Sequence, residues 1–138
     1  MATFNKFNSF VEAIAEKVHN LGSDQLKVAL TNTAPTAANT VLADITEITY
    51  TNCSTRNITT SSSAQTAGLY KLILTDLVLT ASGGSVGPFR YVVIYNDTPT
   101  SPADPLIGWY DYGSSITLAS GETLTIDFDG TNGLLNLQ

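Results

Sequence analysis

The residues with the clearest chemical potential are one cysteine and one histidine, Cys53 and His19. A thiol nucleophile needs a nearby base, and His19 is the one imidazole in the chain. Cys53 lies in a polar stretch typical of a turn, whereas His19 falls within an apolar pattern typical of a helix. We therefore predict a loop thiol and a helix-flank imidazole with no catalytic role. The same counts exclude an intrachain disulfide and a zinc site of the usual cysteine and histidine type.

An acidic, glycine-containing segment offers oxygen ligands at short spacing. Residues 127–133 read Asp-Phe-Asp-Gly-Thr-Asn-Gly. Calcium loops present carboxylate and amide oxygens in this way, but here the glycine comes too early for an EF-hand and no glutamate follows at the twelfth position. A β-turn that needs Asp, Gly and Asn for its backbone angles accounts for every residue. We favour the turn, with a cation site at Asp127 and Asp129 as the alternative.

Aromatic residues cluster in the second half of the chain, and carboxylates lie near them in the sequence. The cluster consists of Tyr91, Tyr95, Trp109, Tyr110 and Tyr112, with Asp97 and Asp111 nearby. Exposed rings beside carboxylates are typical of sugar-binding surfaces, but the same side chains also fill the core of small β domains. We favour the core for the cluster as a whole. As candidate contacts for a glycan or a partner we name Tyr95, Asp97, Trp109 and Tyr112.

One further constellation is a pair of carboxylates, Asp111 and Asp127, on predicted neighbouring strands. Glycoside hydrolysis needs two carboxylates at a defined separation, which the sequence does not fix. The sequence contains no phosphate-binding glycine loop, nucleophile elbow or metal-binding helix motif. We therefore expect a protein that is not an enzyme, uses no cofactor and acts through its surfaces.

Composition and charge narrow the class of protein further. The 138 residues are 43% hydrophobic and 13% charged, which is enough apolar material for the core of one domain. Twelve acidic residues against six basic ones give a net charge of -6, which disfavours nucleic-acid binding. No apolar run reaches the roughly 18 residues that a membrane span needs. The first twenty residues lack the layout of a signal peptide, so we expect the protein to stay in the cytosol where it is made or to leave it only by lysis.

Residues 4–21 are predicted to form a single amphipathic helix. Gly22 is well placed to end this helix in the left-handed conformation. Apolar residues recur at helical spacing and form one stripe along the helix: Phe7, Phe10, Val11, Ile14, Val18 and Leu21. This apolar stripe should be buried, either against the β domain or against a neighbouring subunit.

From residue 25 onward the apolar period changes to two, which is typical of strands. Residues 89–95 are apolar on both faces apart from Arg90, so they should form a central strand. Residues 44–50 and 55–60 read as two short polar strands at a sheet edge. The predicted fold is mainly β: a single domain over residues 1–138, with the helix at 4–21. Residues 25–138 should form an antiparallel β-sandwich or barrel-like structure of about eight strands.

Two stretches of the chain carry a resemblance to a known class. The first consists of three segments near the start of the chain: residues 2–7, which read Ala-Thr-Phe-Asn-Lys-Phe, residues 10–12 and residues 26–32. The second, in residues 87–98, 105–113 and 125–128, has an aromatic strand, an Asn-Asp loop, a Trp strand ending in Asp-Tyr-Gly, and a closing hairpin. In these segments the chain resembles small virion structural proteins of tailed bacteriophages. The resemblance implies a particle component and transfers no functional residue.

The expected role is that of a non-enzymatic virion structural protein, most specifically a capsid decoration or cement protein on the head exterior. A tail or neck component is one alternative, and a carbohydrate- or receptor-binding adhesin is the other. Expected partners are the major capsid protein or other virion proteins, together with self-association, and neither nucleic acid nor membrane. The expected location is the virion, assembled in the host cytoplasm. Because a net charge of -6 separates free subunits, attachment should use apolar contacts, backbone contacts or a locally basic partner surface.

Overall fold

The fold is mainly β, as the sequence predicts, and the computed structural model describes residues 2–138 of the chain. Within those residues the backbone forms nine strands, one α-helix and one short 3-10 helix. In chain order they are β1 Phe4–Lys6, α1 Asn8–Ala15, β2 Leu26–Thr31, the 3-10 helix Leu42–Asp44, β3 Thr60–Thr66, β4 Leu69–Leu74, β5 Leu77–Thr80, β6 Val86–Asn96, β7 Leu106–Leu118, β8 Thr123–Ile126 and β9 Leu135–Leu137.

The strands form three sheets in which every neighbouring pair is antiparallel. A four-stranded sheet has the order β1-β7-β6-β2, a three-stranded sheet the order β3-β4-β9, and β5 pairs with β8. Strand β6 therefore has a neighbour on each side, which confirms the prediction of a central strand at residues 89–95. Its residues from Val92 to Asn96 are all buried.

The core contains side chains from all three sheets in one hydrophobic cluster. Large, fully buried members include Leu30 of β2, Leu72 of β4, Leu79 of β5 and Ile94 of β6. A second, smaller cluster consists of Phe7, Ala29, Val93, Tyr95 and Leu106. Because successive side chains of a strand point to opposite faces, the alternation of Val93 and Ile94 between the two clusters shows that the four-stranded sheet is covered on both faces.

The helix is shorter than the predicted span of 4–21. Residues Phe4–Lys6 form β1 instead, paired antiparallel with β7. The helix α1 ends at Ala15, and Lys17 takes a left-handed φ of 67°. The Val18 N–H then donates to the carbonyl oxygen of Ala13 at 2.9 Å. This is the hydrogen bond of a Schellman motif, so the helix is ended by Lys17 and not by Gly22.

The predicted apolar stripe is only partly buried. Phe7, Phe10 and Leu21 are buried, whereas Ile14 and Val18 are half-buried. Val11 is 51% exposed. Because Phe10 belongs to the main core cluster, the helix packs on the β domain of its own chain.

The segments 44–50 and 55–60 are not strands, apart from Thr60 at the start of β3. They run irregularly along the outer side of β2. The Val28 N–H donates to the Arg56 carbonyl oxygen at 2.9 Å, and the Ile48 N–H donates to the Leu30 carbonyl oxygen at 3.0 Å. Polar segments therefore cover the edge of β2. Strand β3 is an edge strand of the three-stranded sheet, paired with β4 alone.

Two predicted strands have different bounds in the structure. The run 69–81, whose apolar pattern predicts strand structure, is divided between β4 and β5, which belong to different sheets. The strand expected to end at Gly113 continues to Leu118, since Gly113 takes a φ of 100° that a glycine adopts readily.

Candidate functional site

The four residues predicted to contact a glycan or a partner do not share one surface. Tyr95 is 2% exposed and belongs to the second hydrophobic cluster. Trp109 packs against the same cluster, with its ring centroid 4.6 Å from that of Phe7. Tyr95 is thus a core residue, and the half-buried Trp109 packs on the same face of the four-stranded sheet, which agrees for these two residues with the interpretation favoured from sequence.

The other two candidate contact residues, Asp97 and Tyr112, lie elsewhere in the structure. The Asp97 carboxylate forms an ion pair with the Lys27 ammonium, at 3.5 Å between Oδ2 and Nζ. Tyr112 is 52% exposed and lines a pocket together with Tyr110. Tyr110 packs against the main core cluster, on the opposite face of the sheet from Trp109. The sheet itself therefore separates Tyr112 from Tyr95 and Trp109.

A charged cluster beside β2 was not anticipated from sequence. The Arg56 guanidinium lies 3.7 Å from the ring centroid of Tyr50, and the Tyr50 hydroxyl donates to Glu47 Oε1 at 2.7 Å. The same hydroxyl accepts the Leu30 N–H at 2.8 Å, and Arg56 Nη1 donates to the Val28 carbonyl oxygen at 2.6 Å. Burial raises the pKa of the Tyr50 hydroxyl well above its ordinary value. The contacts with Leu30 and Val28 fasten the irregular segments to β2, and the other two hold those segments together, so the cluster is structural.

The pocket that contains Tyr112 lies between β7 and β8, and we call it the β7–β8 pocket. Its volume is 330 Å³. Burial raises the pKa of the Tyr110 hydroxyl to about 12, and the negative charges of Asp127 and Asp129 act in the same direction. The pocket thus combines aromatic rings with an exposed carboxylate, that of Asp127. It is lined by Ala2, Val92, Tyr110, Tyr112, Leu124, Thr125, Ile126 and Asp127.

Asp111, the other carboxylate considered for glycoside hydrolysis, does not line this pocket. Arg90 holds it in a bidentate ion pair, with Nε 2.8 Å from Oδ1 and Nη2 2.9 Å from Oδ2. These hydrogen bonds, with one from the Gly113 N–H, lower the pKa of the Asp111 carboxyl. Asp111 is therefore held as a paired carboxylate, and Asp127 has the neighbouring tyrosines instead.

The acidic segment at residues 127–133 has the hydrogen bonding of a turn. Asp129 Oδ1 accepts the N–H groups of Thr131 and Asn132, at 3.1 and 2.9 Å. Asp129 Oδ2 accepts the Asn132 side-chain amide at 2.9 Å, and Asp127 Oδ1 accepts the Asp129 N–H at 2.9 Å. The bonds from Asn132 are the main reason that the pKa of the Asp129 carboxyl is lowered. Within residues 2–138 no group of three or more acidic, histidine or cysteine side chains is placed to hold a metal ion.

His19 lies just beyond α1, buried and hydrogen-bonded. Its Nδ1 is 3.1 Å from the side-chain amide nitrogen of Asn96, which also donates to Asp24 Oδ2 at 2.6 Å. The amide can donate to Nδ1 only if that nitrogen carries no proton, which places the imidazole proton on Nε2. Nε2 is buried and has no hydrogen-bond partner among the described residues. Burial lowers the pKa of His19, and the Asp24 carboxylate opposes that shift.

His19 also lines a groove of 640 Å³ between the end of the helix and the three-stranded sheet. Apolar walls come from Ile14, Val18, Tyr70 and Leu137. The groove is therefore mainly apolar.

Cys53 has none of the features of an activated nucleophile. Its thiol is half-buried, and burial raises its pKa, although the Arg56 charge acts in the opposite direction. A reactive cysteine has a lowered pKa, because the thiolate is the nucleophile. This environment is that of the loop thiol predicted from sequence.

Comparisons with known proteins give no match to a family model, to a curated protein or to a solved structure. No helix in residues 2–138 is both long enough and apolar enough to cross a lipid bilayer.

Proposed function

We propose that this protein is a non-enzymatic structural component of a tailed-phage virion, most specifically a capsid decoration or cement protein on the head exterior. The segments that carry the resemblance are residues 2–7, 10–12, 26–32, 87–98, 105–113 and 125–128. They contain β1, β2, most of β6 and β7, and parts of α1 and β8. These segments therefore build most of the four-stranded sheet and part of the two-stranded sheet of β5 and β8. The shared core cluster favours sheets packed face to face, so a sandwich arrangement is part of the proposal.

The observation that carries the proposal is the open edge of β3. This strand, Thr60–Thr66, pairs with β4 on one side, and no strand of the described residues pairs with its other side. Its sequence, Thr-Ser-Ser-Ser-Ala-Gln-Thr, contains no charge, and all of its residues are exposed or half-buried. Unpaired backbone groups along such an edge can extend the sheet of a neighbour.

The distribution of charge supports the same role. A chain with a net charge of -6 repels its own copies, but β3 adds nothing to that repulsion. Natural proteins usually protect a free edge with lysine or proline, and β3 contains neither. We therefore assign β3 as the strand that contacts the major capsid protein, another virion protein or a second copy of this chain.

The test is rebinding of the purified protein to phage particles that lack its gene, followed by co-sedimentation. The wild-type protein should bind saturably. Ala64→Glu should bind on the order of tenfold more weakly, because it places a charge in the middle of the open edge. The same substitution is compatible with the fold, since Ala64 is exposed and lies opposite Lys71 on β4, where opposite charges stabilise a sheet.

The matched control is Val11→Glu, which adds the same charge on the exposed face of α1. It should bind like the wild type. Failure of the wild type to bind would contradict the virion role, and equal binding by Ala64→Glu would exclude β3 as the contact. Labelled protein seen at the tail or neck in electron micrographs would assign it to that part of the particle instead.

A further inference from the structure

We propose that the β7–β8 pocket binds one cationic side chain, lysine or arginine, presented by the surface of a partner protein. The identity of that partner as a virion protein rests on the proposed function. The chemistry of the pocket does not, and it can be tested without a particle.

Two tyrosines form the aromatic part of the site. Tyr110 and Tyr112 are two positions apart on β7, so their side chains leave the same face of the strand. Tyr110 is half-buried and packs against Phe4, with ring centroids 5.6 Å apart, which fixes its position. Tyr112 is 52% exposed and presents its ring to solvent at the pocket. The faces of such rings attract ammonium and guanidinium groups.

The carboxylate of Asp127 supplies the negative charge. Its Oδ1 accepts the Asp129 N–H, whereas Oδ2 accepts no hydrogen bond from the residues that the structure describes. No lysine or arginine lines the pocket, and Asp127 forms no ion pair within residues 2–138. Glu47, Asp97 and Asp111, by contrast, each form an ion pair with a basic side chain. Among residues 2–138, Asp127 therefore has no cationic partner and presents its charge beside two aromatic rings.

The remaining walls suit the aliphatic stem of a basic side chain. Val92, Leu124 and Ile126 line the pocket and are buried or half-buried. Long basic side chains place their methylene groups on apolar surface and keep the charged end near polar groups. A volume of 330 Å³ is at the small end of the usual range for ligand pockets, which fits one side chain better than an extended polymer.

Charge decides between a cation and a neutral sugar, since both would stack on the tyrosine rings. Asp127 lines the pocket, and the carboxylates of Asp127 and Asp129 both act on the Tyr110 hydroxyl, so these two groups contribute a negative potential there. A cation is attracted by this potential and a sugar is not. The net charge of -6 favours the same class of partner, a locally basic surface.

The experiment is an NMR titration of the full chain, labelled with ¹⁵N, using N-acetyl-arginine methylamide and N-acetyl-lysine methylamide as probes. Both should shift the amide signals of residues 110–112 and 124–127, with a dissociation constant on the order of 1 mM or weaker. The shifts should weaken as salt is added. N-acetyl-glutamine methylamide, which has no charge, should leave these signals in place.

Three variants test the assignment of roles, and the spectrum itself reports whether each variant is folded. Asp127→Asn keeps an oxygen acceptor for the Asp129 N–H but removes the charge, and should weaken binding at least about fivefold. Tyr112→Ala should weaken binding as well, whereas Tyr112→Phe, which keeps the ring, should bind like the wild type.

The absence of shifts with both cations would overturn the proposal, and so would equal shifts with the glutamine probe. Shifts at the same residues with a methyl glycoside and none with the cations would show a sugar site instead. Because the assay uses no particle, failure here leaves the rebinding result at β3 unaffected, and failure of rebinding leaves this result unaffected.

Discussion

His19 is the side chain whose ionisation the fold constrains most directly. It is 6% exposed, and its ring centroid lies 5.1 Å from that of Phe10. The Asn96 amide faces Nδ1, so protonation of that nitrogen would place two donors against each other. The fold therefore favours the neutral imidazole.

This preference predicts a pH dependence of stability. The pKa of His19 is lowered in the folded protein, whereas in the unfolded chain it is about 6.5. Above about pH 6.5, His19 is neutral in both the folded and the unfolded protein, so its titration does not reduce the free energy of unfolding. As the pH falls below about 6.5, the unfolded chain takes up a proton first, so the free energy of unfolding should decrease until the folded-state pKa is reached. Urea denaturation over a pH series measures this decrease.

His19→Gln removes the titrating group and serves as the control. The free energy of unfolding of this variant should vary less with pH over the same range than that of the wild type. The carboxyls with lowered pKa values, including Asp44, Asp111 and Asp129, lose their contribution only below about pH 4, so they do not obscure the result. An identical pH profile in both proteins would contradict the assignment of His19.

The role of His19 was only partly predictable from sequence. Its type and its place beside the helix indicated a residue with no catalytic function. Its partner Asn96 is 77 positions away, and only the register of β2 on β6 brings the two segments together. Similarly, Tyr112 and Asp127 line the same pocket only because of the way in which two different sheets meet, and no local sequence pattern specifies that arrangement.

Among the elements, β1 depends on a glycine in the neighbouring strand. Gly108 pairs with Lys6, and a Cβ atom there would overlap the Phe4 ring and lie 2.6 Å from the Asn5 carbonyl oxygen. Gly108→Ala should therefore displace β1 and lower the free energy of unfolding by about 1–3 kcal/mol. Hydrogen exchange should become faster at the amides of β1 before it changes in the centre of β6.

Gly130→Ala is the matched control, because a Cβ atom at Gly130 meets no atom within 4 Å. It should change stability by less than about 0.5 kcal/mol. Unchanged exchange in β1 of the Gly108→Ala protein would mean that the strand does not depend on this close approach.

The same region shows why the helix prediction of 4–21 was too long. Phe7 and Phe10 have helical spacing, and both are buried, but in different clusters. Phe7 belongs to the second cluster as the residue that follows β1, and Phe10 belongs to the main core from within α1. Spacing alone cannot distinguish one helical face from two sheet faces. Strand β6 was predicted more closely, because a run that is apolar on both faces suits a strand with a hydrophobic cluster on each side.

In the molecule as a whole, net charge should control association. Twelve acidic and six basic residues give repulsion between free copies at low ionic strength. Self-association through β3 should therefore increase with salt, since the screening length falls to about 10 Å at 0.1 M. Sedimentation velocity of the purified protein across a salt series measures this effect. An oligomer that is stable at low salt and dissociates as salt is added would show that ion pairs hold the assembly instead.

The arrangement of the three sheets was the least predictable part of the structure. The run at residues 69–81 alternates almost continuously, yet its two halves belong to different sheets. Asp76 lies between them, and its Oδ1 accepts the Phe128 N–H at 3.0 Å. This contact joins segments 52 positions apart and has no local signature. Strand content follows from local pattern, whereas strand order depends on contacts of this kind.

The most direct test of the proposed role is the number of copies of this protein in purified virions, measured by gel densitometry or quantitative mass spectrometry against the major capsid protein. A decoration protein covers repeated sites on the head, so its copy number should be comparable to that of the major capsid protein. A much smaller number, of tens of copies or fewer, would contradict the decoration role and favour the tail or neck. Absence from purified particles would contradict the virion assignment altogether.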